Sequence, residues 1–405
     1  MLLALAMIFT TPMPLAAAVD RLESKTPIAA DLTSDQWAQI ELGLSDRAFF
    51  SSRVNDIGVV TEMQSRIDDA LSLARRDGGA FMDRSRFIAD LRGILGAEPG
   101  DSGDLTDITS SARLGLIYDF NTEEAMEYGR WVARQNPAIL DAFPCNELVR
   151  VEAREVPRGY RRGAKGRLVE VPEESWPARW DRAGGDFVGG RMIALKNDPI
   201  WIRISRFGRP WPPFDFNSGM GLADVSRDEA EQLGVIQPHD LVPKPMQMDF
   251  NHNLQASIPD ATPAVMESMK RIFGDQVAVA KDGTVAWQGQ QLAALYKRAL
   301  GGQEADWTLD LGEATPEAIE AGGDDLADSR LQLTADDLRT SGALSVLDAQ
   351  LIPHIWRDPD QVETGPAGEL VFTKSFLGRK ATATFDQVDG ALTLASLTID
   401  QEDTP

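Results

Sequence analysis

Apolar residues recur at helical spacing through the first 135 positions. Trp37, Ile40, Leu44 and Phe49 predict a helix over 33–50, capped by Thr33 or Ser34. Val54, Ile57, Val60, Met63, Ile67, Leu71 and Leu73 predict a second over 54–76. Phe81, Phe87, Leu91 and Leu95 predict a third over 80–95, with Gly93 and Gly96 weakening its end. Residues 1–96 thus read as an all-helical region. Gly, Asp and Ser crowd positions 100–109, which read as a loop. A long helix is predicted over 110–135. There Leu114, Ile117, Tyr118, Met126 and Trp131 alternate with Asp119, Glu123, Glu127 and Arg130, and Pro137 and Pro144 close the segment.

Beyond 147 the pattern changes. Residues 148–153 alternate like a strand. Residues 158–165 are basic and contain glycine, as solvated loops do. Four of the nine tryptophans, Trp176, Trp180, Trp201 and Trp211, fall in the Gly- and Pro-rich stretch 176–226. Such segments form small cores held by aromatic packing and indole hydrogen bonds, so Trp201 and Trp211 are expected inside. Ser226 to Glu229 reads as a capping box that opens a short helix ending at Gly234. Pro238, Pro243 and Pro245 suggest an extended arm. A helix is predicted over 264–273, and a hairpin joins Val277-Ala278-Val279 to Val285-Ala286-Trp287. Residues 301–330, acidic and Gly-rich, read as an exposed connection. The last 70 residues read as a helix (335–349), a Pro-containing turn (353–366) and strands at 370–374, 380–385 and 392–399.

The first 18 residues are apolar and end in three alanines. A secretory segment fits that ending, but no Lys or Arg precedes Arg21, and Pro12 and Pro14 interrupt the run. A buried first helix with Val19 and Leu22 on its apolar face fits better. The run is also shorter than the roughly 20 residues that span a bilayer. Four regions follow: a helical docking region (1–96), a compact Trp-rich mixed domain (110–236), a proline-containing and acidic connection with a hairpin (237–330), and a small α+β module (331–400). The fold class is α+β.

Composition narrows the chemistry. One cysteine in 405 residues excludes a disulfide scaffold and a multi-thiolate zinc site, and three histidines leave little for an imidazole-rich centre. The net charge is −23, which disfavours binding to the outside of a duplex unless charge is segregated. It is segregated. Lys and Arg number 14 against 23 acids over 1–150, 13 against 8 over 151–210, and 13 against 32 over 211–405. The basic island concentrates in Arg154, Arg158, Arg161, Arg162, Lys165 and Arg167. It is the candidate binding site, for an acidic protein or intrachain partner, or more weakly for DNA phosphates.

No Walker-type loop, nucleophile elbow or His-Glu-x-x-His is present. The turn Asn217 to Gly221 lacks the lysine of a phosphate loop, and Asp249 to Asn253 reads as a polar surface loop. Cys145 has no histidine near it in sequence and reads as a buried thiol. His354, beside Pro353, is the lone catalytic candidate. No metal or other cofactor is expected.

Arg113-Leu114-Gly115-Leu116-Ile117-Tyr118-Asp119-Phe120-Asn121-Thr122, with Ala125, Tyr128, Gly129 and Arg130, resembles the opening helix of the phage head-morphogenesis, or Mu F-like minor head protein, family. Trp180, Gly184-Gly185, Gly190 to Lys196, Asp198 to Trp201 and Ser205 to Gly208 resemble a subgroup of it. So do Trp211 to Met220 and Asp224 to Ala230. Where many relatives carry Asn-Cys-Arg-Cys this chain has Asn217-Ser218-Gly219-Met220. The usual Arg-Pro-x-His element is Val156 to Tyr160 here, so no thiol or metal role carries over. Leu351 to Trp356, Asp358 to Asp360 and Gly368 to Lys374 faintly resemble a degenerate barnase/EndoU-like module. It has His354, Arg357, Lys374, Arg379 and Lys380 to offer a phosphate.

The resemblance implies a non-enzymatic structural protein of a tailed-phage or prophage head, acting in capsid assembly near the portal vertex. Portal and major capsid protein would be its partners, with self-association as a further contact and no membrane. It would reside in the virion, and in the host cytoplasm during assembly. The rivals are a nuclease or toxin-like effector acting through the C-terminal module, an exported binding protein, and a DNA-binding accessory protein using the basic island.

Overall fold

The computed structural model describes residues 15–33, 48–76, 84–153, 156, 158–162, 167–246, 255–257, 277–279, 284–287, 292–300, 308–341, 345–377, 379–388 and 390–401. The fold is α+β. The first element among the described residues, α1 (Leu15–Glu23), buries Ala18, Val19 and Leu22, as the apolar spacing requires. Strands β1 (Thr26–Ile28) and β2 (Ala48–Phe50) then pair in parallel, Pro27 opposite Phe49. The N-terminal region is therefore not all-helical, and the helix predicted over 33–50 does not reach Phe49. A two-aromatic run fits a buried strand as well as a helix face, and periodicity does not separate them over so short a stretch. Residues 34–47 lie outside the described set.

Helices α2 (Ile57–Arg76), α3 (Arg84–Ile94) and α4 (Ser111–Arg134) follow the predicted pattern. α4 ends at Arg134, before Pro137 as predicted, and Pro137 also opens the next element. It sits in the first turn of α5 (Pro137–Ala142), where its missing N–H is harmless, and the Asn136 side chain caps by accepting from Ala138 N. Next come β3 (Cys145–Arg150), the ribbon β4 (Tyr160–Arg162) with β5 (Leu168–Glu170), α6 (Trp176–Arg182), β6 (Phe187–Val188), β7 (Arg191–Leu195), α7 (Ile200–Arg203), β8 (Met220–Val225) and α8 (Arg227–Gln232). The stretch read as a solvated loop at 158–165 thus holds β4. Ser226 caps α8, accepting from Glu229 N, and Gly234 follows with φ of 72°.

Strands β9 (Gln255–Ser257), β10 (Val277–Val279) and β11 (Thr284–Trp287) form a sheet in the order β10-β11-β9, with Val277 opposite Trp287 as the hairpin predicts. The helix predicted over 264–273 lies outside the described residues. Beyond α9 (Leu292–Leu300), the described part of the stretch read as an exposed connection, 308–330, is regular structure. It holds β12 (Thr308–Glu313), α10 (Pro316–Gly322) and the start of β13 (Arg330–Thr334). Leu309 and Leu311 alternate with Asp310 and Glu313 there, so the many acids hide a half-buried strand. The helix predicted over 335–349 is two helices, α11 (Ala335–Thr340) and α12 (Val346–Ala349). Each begins at its own capping box, Thr334 with Asp337 and Ser345 with Asp348. The Pro-containing turn is α13 (Ile352–Arg357), with Pro353 in its first turn, and β14 (Gln361–Thr364). Strands β15 (Leu370–Phe376), β16 (Arg379–Val388) and β17 (Ala391–Gln401) close the chain.

Contacts divide the chain into two compact units. One comprises residues up to 21, 69–86 and 114–248; the other comprises 22–68, 87–113 and 249 onward. In the first, an antiparallel sheet runs β6-β7-β3-β8. Its core gathers Leu148, Trp176, Trp180, Ile200, Trp201, Ile204, Phe214 and Met220. Trp201 and Trp211 are fully buried, as expected. Buried indoles need acceptors: Trp180 Nε1 donates to Asp186 O at 2.9 Å and Trp201 Nε1 to Leu195 O at 2.7 Å. Gly185 is required by that packing, since a Cβ there would come within 2.4 Å of the Trp180 ring.

The second unit centres on a six-stranded sheet, β12-β13-β17-β16-β15-β14, antiparallel except where β13 meets β17. Inward residues alternate along β15 as Leu370, Phe372, Lys374 and Phe376. Trp356 of α13 stacks on Phe372 at 5.1 Å and meets Phe385 edge-on at 5.4 Å.

Candidate functional site

The basic island does not form one patch. Register pairs Tyr160 with Glu170, Arg161 with Val169 and Arg162 with Leu168, so β4 and β5 make a separate two-stranded ribbon. All six ribbon residues are exposed, and Tyr160, Leu168 and Val169 add apolar surface to it. Arg161 pairs with Glu174, Arg162 lies beside it on β4, and Arg167 precedes β5. Arg158 points elsewhere, donating to Asp215 at 2.9 Å and to Phe216 O at 3.2 Å. Arg154 and Lys165 lie outside the described residues.

Asp215 gathers two more guanidiniums that the sequence did not single out as a group. Arg179 Nη1 stands 3.0 Å from its Oδ2, and Arg206 Nη1 stands 3.8 Å from its Oδ1. Rings back the cations, with Arg179 over Trp176 at 4.9 Å and Arg206 over Phe216 at 5.5 Å. A second carboxylate sits deeper. Glu124, in the middle of α4, is fully buried. Its Oε1 lies 3.0 Å from Arg21 Nε and 2.8 Å from Arg209 Nη1, and it accepts from Trp211 Nε1 at 3.3 Å. Arg191 forms the third junction, bidentate to Glu147 of β3 and 2.7 Å from Glu229 of α8. Such fork geometry is what guanidinium supplies and ammonium does not. Sequence reasoning missed Glu124 because it shares a helix with Asp119, Glu123 and Glu127, and the pattern does not tell an inward acid from an outward one. The signal present was its place three residues before Glu127 on a face shared with Tyr128 and Trp131.

The chemical candidates are confined. Cys145 is buried, and burial pushes its thiol up to about 11, so it carries no thiolate at neutral pH. The Asn217 turn is structural: Gly219 has φ of 60°, and a Cβ there would meet Glu152 O at 2.7 Å. Asp249 to Asn253 lies outside the described residues.

In the other unit, α13 and β15 bring His354, Arg357 and Lys374 together. Burial, with the repulsion of Arg357 and Lys374, pushes the imidazole down to about 4. It is neutral at pH 7 and far from the pKa of an efficient general base. Lys374 Nζ is held by Asp358 through the carboxylate at 2.9 Å and the backbone carbonyl. Arg379, at 3.6 Å from both Glu62 and Asp348, joins a different cluster, and Lys380 is exposed on β16. Among the described residues no cluster of three His, Cys, Asp or Glu side chains is arranged to hold a metal, and no helix is long and apolar enough to cross a membrane.

Comparison with known proteins finds no matching family model, no matching curated protein and no matching solved structure.

Proposed function

We propose that this chain is a structural assembly protein, a minor head protein of a tailed phage or prophage that works near the portal vertex. One observation carries the reading. The residues behind the sequence resemblance build the frame of one unit: Tyr128 packs edge-on against Trp211 at 5.1 Å, Trp180 lies 5.4 Å from Trp201, and Asp215 and Arg191 tie loops and strands together. A motif whose members pack and pair supports a scaffold role rather than catalysis. The ribbon bearing Arg161, Arg162 and Arg167 is the docking element for an acidic protein surface. Its exposed Tyr160, Leu168 and Val169 favour protein over a phosphate backbone, which offers them nothing apolar. The nuclease reading has less support, because Lys374 and Arg379 already answer carboxylates.

The test is a pull-down of the tagged full-length protein with portal and major capsid protein, at low and high salt. Portal or capsid recovered in fixed ratio supports the role. Arg161→Ala with Arg162→Ala should reduce recovery at low salt without changing thermal stability. Recovery of neither protein, or cleavage of added RNA or DNA by the chain, would overturn it.

A further inference from the structure

The first unit contains a small cavity of about 10 Å³, walled by Trp131, Asn146, Lys196, Trp211, Pro212 and Leu222, with Gln135 and the oppositely charged Glu127 and Arg134 completing the lining. Two of these carry buried polar atoms without a hydrogen-bond partner, Trp131 Nε1 and Asn146 Oδ1, and a third, Lys196 Nζ, has N–H donors beyond the one its counterion takes. The residues are only 6%, 4% and 2% exposed. Lys196 Nζ lies 2.6 Å from Asp224 Oδ1, which answers one of the ammonium's three N–H donors. Gln135 holds the rim by accepting from Met246 N at 2.7 Å.

Orphaned polar groups at this depth each carry a desolvation cost, and more than one in a single native cavity is uncommon. Their chemistry defines what would satisfy them. The indole N–H and the ammonium both seek an acceptor, and the amide oxygen seeks a donor. A cation would face Lys196 and the indole hydrogen. An anion would face the amide oxygen and could give it nothing. A carbon-containing ligand is too large for the space. A water molecule accepts twice, donates twice, and fits a cavity of this size.

We propose that this cavity is a built site for one internal water. It accepts from Trp131 and Lys196 and donates to Asn146. The water would then join α4, β3 and the residue that follows β7, whose direct hydrogen bonds leave a donor or acceptor at each of these atoms unmatched. It is a structural ligand of the same body that carries the sequence resemblance, and it does not depend on the assembly role.

Two measurements on the full-length protein test it. A crystal structure at about 2 Å or better should show an ordered peak within the usual 2.7–3.2 Å hydrogen-bond range of Trp131 Nε1 and Asn146 Oδ1. With ¹⁵N-labelled tryptophan, the Trp131 indole proton should show a cross-relaxation peak to water, assigned by its disappearance in Trp131→Phe. The crystallographic peak should also fall to less than half occupancy in that variant. An empty cavity, or a direct hydrogen bond from Trp131 Nε1 to a protein acceptor, overturns the proposal. If Trp131→Phe does not fold, the crystal structure of the unaltered chain decides alone.

Discussion

In the tryptophan-rich unit, Glu124, Arg21, Arg209 and Lys196 lie beneath the surface among aromatic rings, Arg21 within 5.7 Å of both Tyr128 and Trp211. In the C-terminal sheet the interior is built from Leu331, Leu333, Ile352, Ile355, Trp356, Phe372, Phe376 and Phe385. Lys374 points inward there too, but its partner Asp358 has an 88% exposed side chain, so that charge keeps contact with water through its counterion. Burying apolar surface stabilises wherever it happens, by about 25 cal/mol per Å². Burying an ion pair gains little net stability, and losing one member leaves the other stranded. The two units therefore have different weak points: one depends on the match of charges, the other on the fill of its core.

The largest expected effects come from attacking each unit at its own weak point. Glu124→Gln barely changes volume but removes the carboxylate charge that two buried guanidiniums share. It should cost about 3–5 kcal/mol, with faster hydrogen exchange confined to the first unit. Trp356→Ala should cost about 3–5 kcal/mol through the cavity it leaves, with the exchange changes in the sheet. Denaturant unfolding with segment-resolved exchange reads both, and a Glu124→Gln variant as stable as the parent would remove the contrast.

Asp224→Asn is a gentler probe. It leaves Lys196, whose ammonium burial already disfavours, without its counterion. A loss of about 2–3 kcal/mol is expected. Lys196→Met in the same background should recover part of it, because the stranded charge is then gone.

The smallest effect has opposite signs in the two units. His354 is pushed down to about 4 from its ordinary 6.5 by burial, helped by Arg357 and Lys374. The unfolded chain binds that proton more readily, so the contribution is complete above pH 6.5 and is lost as pH falls towards 4. Glu123 runs the other way. Desolvation, then the charges of Glu152, Glu127 and Asp119, raise its carboxyl to about 7. That contribution is complete below about 4.5, the ordinary carboxyl value, and is lost as pH rises through 7. Between pH 4.5 and 6.5, exchange in the sheet should slow with rising pH relative to an intrinsic-rate reference, while the first unit loosens slightly. His354→Asn should flatten the first trend and Glu123→Gln the second.

Much of this was legible in the chain. Long amphipathic runs gave α2, α3 and α4 because many turns reinforce one period. The strands at 370–376, 379–388 and 391–401 were legible because alternation and Gly-bearing turns agree. The density of tryptophan marked a packed core, and Trp201 and Trp211 lie in it. The basic island was visible as composition, but its division into an exposed ribbon and an inward Arg158 was not. That division depends on Asp215, 57 residues later in sequence, reaching the same place.

What the sequence determined by itself was local. Period, caps and composition act over a few residues, so they set the long helices, the terminal strands and the charge imbalance. Tertiary structure decided which of several similar residues faces inward. It chose Glu124 over its neighbours on α4, made strands of the acidic stretch at 308–313 and of Ala48–Phe50, and set Trp131, Asn146 and Lys196 around one cavity. For the buried polar groups the physical reason is the same. A buried charge or polar atom is tolerated only where a partner arrives from elsewhere in the chain, and no local pattern records where that partner will be.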